Sequence, residues 1–249
     1  MIFLIYRILK KLSSLAGISS SFASDGEDYI LLKYLRGIEN GNYIDIGSHK
    51  PIKHSATFCL YLLGWRGICV DPIPYLKNNY RILRGKDLFI NAGVSGGIKE
   101  REQKEMTFYY YKNNPDNSSF DKESVDNLIE LYGRYPSTTY SVPVISVARL
   151  INMYRKHYRS DGLIHVLNLD TEGGELHILE DLFEEECFPW FICVEELGYV
   201  ADNISNSRIN KYVGSHGYIL VAKTFLSSIY MRTGVQKYLK SQFVKGLNI

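Results

Sequence analysis

Charge of one sign, paired cysteines and long apolar runs are all scarce in this sequence, and each shortage removes a class of protein. The 29 lysines and arginines are nearly balanced by 27 aspartates and glutamates, for a net charge of +2. No nucleic-acid partner is expected, because phosphate recognition needs a clear cationic excess. The four cysteines, Cys59, Cys69, Cys187 and Cys193, form no C-x-x-C pair, which argues against a zinc site. Cys69 and Cys193 instead lie in apolar runs that read as buried strands, as suits reduced core thiols of a cytoplasmic protein. The N-terminal stretch Met1–Leu15 is apolar but too short to span a bilayer. It also lacks the charged-then-apolar order and the small-residue cleavage site of a signal peptide.

What is there is an ordinary globular composition, 45% apolar and 22% charged, on a chain of 249 residues, long enough for one large core. Residues 1–23 read as an N-terminal helical segment, and 24–249 as a single domain with an insertion near 95–143. Ile2, Ile5, Leu9 and Leu12 fall roughly on one helical face, with Lys10 and Lys11 off it. Two readings of that stripe stay open. One is a helix lying on the inner face of a membrane; the other is a helix packed on its own domain or on a partner.

From Ser24 onward, helical and strand patterns alternate. Ser24 and Glu27 have the spacing of a capping box, which predicts a helix ending near Gly37. Apolar runs at 43–46, 67–70, 88–94, 164–169 and 190–194 predict strands, with helices at 55–63, 75–83, 147–158, from 175 and at 207–213. Residues 218–223 and 228–232 predict a final strand pair. Between Ser95 and Pro143 the rhythm breaks, although Phe108–Tyr111 suits a strand. The fold class is therefore α/β and Rossmann-like: a mostly parallel sheet, helices on both faces, and an antiparallel terminal strand pair.

Each expected parallel strand ends in polar or glycine-containing sequence: Asp45-Ile46-Gly47-Ser48, Asp71, Asn91-Ala92-Gly93, Asp170-Thr171-Glu172 and Glu195-Glu196. Ligands of open parallel sheets bind outside those ends. Gly47 permits a tight bend and close approach to a ligand. Ser48-His49-Lys50-Pro51 follows it, which is neither a dinucleotide G-x-G-x-x-G nor a phosphate loop. Asp71, 26 positions after Asp45, suits a ribose diol, although a helix N-cap would also use a carboxylate there. An acid at that point without a phosphate cradle favours S-adenosylmethionine (SAM) over NAD. The candidate cofactor-binding residues are Asp45, Gly47, Ser48, Asp71, Asn91, Gly93 and Asp170.

The ordered segments Tyr43-Ile44-Asp45-Ile46-Gly47-Ser48-His49, Gly64-Trp65-Arg66-Gly67-Ile68 and Val70-Asp71-Pro72 resemble the SAM-binding half of FkbM-type methyltransferases. Leu169-Asp170-Thr171-Glu172-Gly173-Gly174-Glu175 is similar to that family's D-x-E-G-x-E segment. Ser24–Asp28 and Val142–Leu150 resemble its flanking segments, so the likeness extends from Ser24 to about Arg232. Lys50, Ala56 and Gly174 depart from the family pattern. The resemblance implies a class I, SAM-dependent methyltransferase that O-methylates a sugar or secondary-metabolite hydroxyl, with a small-molecule or glycan acceptor.

Methyl transfer to a hydroxyl gains from a base near the methyl group. Asp170 and Glu172, leaving the fourth strand, are candidates, followed by Glu195 and His49. Each has a structural alternative: helix electrostatics for Glu172, a backbone-bonding turn for His49. Asp170, Glu172 and Glu195 could together hold a divalent cation, but no dedicated metal pattern is present, and no metal residue is assigned. Glu196 reads as a solvated residue and His177 as a surface histidine. A non-catalytic Rossmann-like module and an NAD-type oxidoreductase stand as alternatives.

Overall fold

The computed structural model describes residues 21–97, 104–114, 117–120, 122–158, 163–171 and 173–239. The expected N-terminal helix and Glu172 lie outside the described residues. The first helix, α1 (Glu27–Tyr34), does not use the expected capping box. Gly26, at φ +85°, is its N-cap and turns the chain so that Ser24 faces away. The Ser24 hydroxyl lies 3.1 Å from His54 Nδ1 instead, while Glu27 Oε2 accepts the Asp25 N–H at 3.0 Å.

The alternation then follows the sequence pattern. β1 (Asn42–Ile46) leads to α2 (Phe58–Leu62), β2 (Arg66–Val70) to α3 (Leu76–Leu83), and then come β3 (Leu88–Ile90) and β4 (Gly93–Ser95). β5 (Lys104–Tyr110), α4 (Lys122–Tyr132) and β6 (Thr138–Ser146) follow, then α5 (Val147–Tyr158). β7 (Val166–Leu169), α6 (Glu175–Glu184), β8 (Phe191–Glu195), α7 (Arg208–Ser215), β9 (Tyr218–Lys223) and β10 (Ser227–Arg232) complete the chain as described. Helix α5 buries Val147, Leu150, Ile151 and Tyr154, the i, i+3, i+4, i+7 face that its periodicity predicts.

Seven strands form one sheet in the order β3-β2-β1-β7-β8-β10-β9. The first five are parallel to their neighbours, and β10 runs antiparallel to both β8 and β9. The terminal strands are thus the expected antiparallel pair, and the later one enters the sheet's interior. Alternate side chains load the two faces. Ile44, Ile46, Ile68 and Leu167 pack with α5 and α6, while Tyr43, Cys69, Val166 and Cys193 pack with α1, α2 and α3. Both faces are therefore covered by described helices, and the carboxyl edge is open to a ligand.

The apolar run 88–94 divides. Leu88–Ile90 stays in the main sheet, and Gly93–Ser95 joins a second sheet of order β4-β6-β5. Asn91-Ala92 is the point of exit; the Ala92 N–H bonds back to the Ile90 carbonyl, which takes β4 out of line. Helix α4 was not expected within the polar stretch, although Val125, Leu128, Ile129 and Tyr132 have helical spacing.

Candidate active site

A cleft of about 420 Å³ runs across the carboxyl ends of β3, β2, β1, β7 and β8. Of the residues expected there, Asp45, Gly47, Ser48, His49, Asp71, Gly93, Asp170 and Glu195 line it. Asn91 does not; its side-chain amide donates to the Asp71 carbonyl at 2.9 Å and so holds the end of β2. Glu172 lies outside the described residues.

The turn after β1 depends on glycine. Gly47 has φ +74°, and a Cβ there would stand 1.6 Å from the Asp170 carbonyl oxygen. The Gly47 and Ser48 amides both donate to Val70 O, at 3.0 and 3.1 Å, which ties this turn to β2. The His49 N–H donates to Asp71 Oδ2 at 2.9 Å and the Ile73 N–H to Oδ1 at 2.8 Å. Asp71 is thus aimed by two backbone donors, yet each oxygen keeps a lone pair for a ligand. Burial raises its pKa to about 7, the two amide hydrogen bonds only partly opposing that. His49 serves this geometry through its backbone, at φ +42°. Ser48 Oγ is buried and has no hydrogen-bond partner.

Asp45 belongs to the floor. It accepts from the Thr57 hydroxyl and, at 2.9 Å, from the Asn168 amide. Beneath it lies a network that the sequence did not advertise. The buried Arg84 donates to Asp87 at 2.8 Å, to Thr57 Oγ1 at 3.0 Å, to the Tyr43 hydroxyl at 2.9 Å and to Ser55 Oγ at 3.2 Å. Asp87 also accepts from the Tyr43 hydroxyl and the Gly67 N–H. A single guanidinium so joins β1, α2 and α3 below the cleft. Its only trace in sequence is an Arg–Asp spacing of three, which on any helix surface would be an ordinary exposed pair.

At the other end, Asp170 and Glu195 leave adjacent parallel strands, beside the paired residues Leu169 and Val194. The Asp170 side chain is solvent-exposed where it opens into the cleft, with protein crowding the carboxyl from the other sides. That desolvation, then the charges of Glu195 and Glu175, pushes its pKa well above the carboxylate range, and a hydrogen bond to Glu195 adds to the effect. Glu175 knots the turn after β7, accepting from the Thr171 N–H at 2.8 Å, the Thr171 hydroxyl at 3.0 Å and the Gly173 N–H at 3.1 Å. Glu196 corrects its solvated reading: it is buried, accepting from the Ser207 and Tyr230 hydroxyls. His177 is exposed beside Glu180, as expected. Among the described residues no group of three His, Cys, Asp or Glu side chains could hold a metal ion.

The FkbM methyltransferase domain matches residues 45–220, from Asp45 on β1 to Leu220 on β9. The chain belongs to that family. Its strand order, with antiparallel β10 between β8 and β9, is the class I Rossmann-like methyltransferase arrangement. Solved structures it is similar to include three methyltransferases at low identity. PH1948 from Pyrococcus horikoshii, assigned as an RNA methyltransferase, shares 11% identity over 83% of each chain, with a TM-score of 0.41. Precorrin-6y C5,15-methyltransferase from Geobacter metallireducens shares 12%, covering 85% of this chain and 91% of that one, at 0.38. A TehB-like SAM-dependent methyltransferase from Corynebacterium glutamicum shares 10%, covering 93% and 98%, at 0.33. No curated protein matches in sequence.

Family and fold imply SAM as the methyl donor of this FkbM-family methyltransferase. The residues present fit it. Asp71 keeps free lone pairs at the end of β2, Ser48 Oγ is an unsatisfied buried group in the same cleft, and 420 Å³ lies within the range of small-molecule sites.

Proposed function

We propose that this methyltransferase acts on a hydroxyl of a small-molecule or glycan acceptor, and that the Asp170–Glu195 pair takes the hydroxyl proton. The observation that carries this reading is the pair itself: two carboxyls at the ends of neighbouring parallel strands, both lining the cleft. SAM, when bound, supplies a methyl group already activated by its sulfonium charge. The chain's own work is then positioning and proton handling. Asp71 accepts from the ribose hydroxyls through the lone pairs that His49 and Ile73 leave free. Asp71 and Asp170 follow strands two places apart in the sheet, about 10 Å at ordinary strand spacing. A ligand held at Asp71 therefore reaches the carboxyl pair with its far end. The Asp170 carboxylate would accept the acceptor's proton, and its raised proton affinity makes it a stronger base than an ordinary aspartate.

A small polar side cavity of about 40 Å³ opens beside the pair, lined in part by Ser24, Glu27, His54 and Asn168. Its hydrogen-bonding groups suit a single hydroxyl substituent of an acceptor held in the main cleft. The near-neutral charge supports a glycan or small molecule over a nucleic acid, and four buried free thiols support a cytoplasmic setting. No described helix is long and apolar enough to cross a membrane. The test is labelled-methyl transfer to glycan and small-hydroxyl acceptor pools by wild type and Asp170→Asn. Turnover should fall by roughly 10²-fold while SAM affinity stays within a few fold. Equal turnover would remove the pair from the mechanism. SAM binding without transfer to any acceptor would favour a non-catalytic module.

A further inference from the structure

Asn117 Nδ2, like Ser48 Oγ, is a buried side-chain polar atom in the cleft without a hydrogen-bond partner. A buried amide hydrogen is costly to leave unpaired, so it marks a place where a ligand atom belongs. Asn117 lies between β5 and α4, far in sequence from every strand end of the main sheet. Its backbone is nonetheless tied down. The Asn117 N–H donates to Asn114 O at 3.0 Å, Ser118 Oγ accepts the Tyr111 N–H at 3.0 Å, and Ser119 exchanges two backbone hydrogen bonds with Tyr109. The second sheet thereby presents this side chain to the cleft of the first.

Strand order says which end of the cleft it serves. Along the carboxyl edge the sequence is β3, β2, β1, β7, β8. Asp71 sits at β2, and the Asp170–Glu195 pair at β7 and β8. A nucleoside ligand whose ribose is held at Asp71 and whose reacting end points to that pair must turn its base the other way, past β3. There the wall is Ala92, Gly93 and Val94, with Phe108, Asn117 and Phe120 from the second sheet and its loop. Phe120 can close on this wall because residue 93 is glycine: a Cβ would come within 2.7 Å of Phe120 Cζ. The Phe108 and Phe120 rings contact each other, with centroids 4.8 Å apart.

We propose that Asn117 reads the purine: its side-chain amide hydrogen-bonds the edge of the adenine of the methyl donor, which lies against the apolar wall that Phe108 and Phe120 form together. This rests on the donor reading above. The chemistry matches, because an amide carries a donor beside an acceptor, and adenine offers a ring-nitrogen acceptor beside its amino donor. The test is calorimetric binding of S-adenosylhomocysteine and of its analogue lacking the 6-amino group, to wild type and to Asn117→Ala. Since Asn117 Nδ2 bonds none of the described residues, the variant should melt with the wild type. Wild type should prefer S-adenosylhomocysteine by about five- to tenfold. Asn117→Ala should bind it five- to tenfold more weakly and lose that preference. Unchanged affinity in the variant, or weakened binding with the preference intact, overturns the base-reading role alone. A wild-type chain that binds neither compound overturns the donor reading as well.

Discussion

Asp71 shows how far a single side chain is governed by its surroundings. In water it would ionise near pH 4; here burial raises its pKa to about 7. Above that value it is a carboxylate with two acceptor oxygens for a ribose diol, and below it one oxygen is occupied by a proton. SAM affinity should therefore rise by up to tenfold per unit as pH increases toward 7, and level off above it. The same shift acts oppositely on the ligand-free fold. A raised carboxyl pKa contributes stability that is complete below about pH 4 and is lost as pH rises through 7. Calorimetry from pH 5.5 to 8.5 checks this, with Asp71→Asn as the comparison. That variant should bind about tenfold or more weakly at pH 8, since a hydrogen bond to a charged group is worth roughly 1.5–3 kcal/mol, and should have a flat profile. An equally steep profile in Asp71→Asn would assign the titration to another group.

At the scale of elements, the arrangement beneath the cleft rests on Arg84. Buried ion pairs contribute little net stability over an apolar core, but removing one partner strands the other. Arg84→Met leaves Asp87 without its cation and Thr57 and Tyr43 without a donor, which should cost about 3–5 kcal/mol. Urea unfolding of the variant measures this directly. A loss below about 1 kcal/mol would mean that hydrophobic packing alone holds these elements. The elements themselves were largely legible, because apolar runs and the α5 periodicity record burial locally. The break between β3 and β4 was not. Leu88, Phe89, Ile90 and Val94 are equally apolar, and only the positions of two sheets decide that the run must divide.

For the whole molecule, the second sheet closes one end of the cleft and the Asp170–Glu195 pair stands at the other. The stripe Ile2, Ile5, Leu9 and Leu12 adds a prediction at this scale. The full chain should sediment with anionic vesicles, and a chain starting at Ser19 should stay in solution with its fold unchanged. Full-length protein that never sediments refutes membrane association.

The sequence by itself determined the α/β alternation, the family, and the polar strand ends that gather at one edge. Those are local signals: strand termini carry their chemistry in adjacent residues, and parallel strands bring all such termini together. Only the tertiary structure decided what each polar group does there. Asp45 turned to its own Thr57 and Asn168, Asn91 to the Asp71 backbone, and Glu196 to Ser207 and Tyr230. Asp170 met Glu195 across two strands, and Asn117 reached the cleft from another sheet. Hydrogen-bond partners and burial are set by contacts between distant segments, and a residue's type and neighbours in sequence carry no record of them.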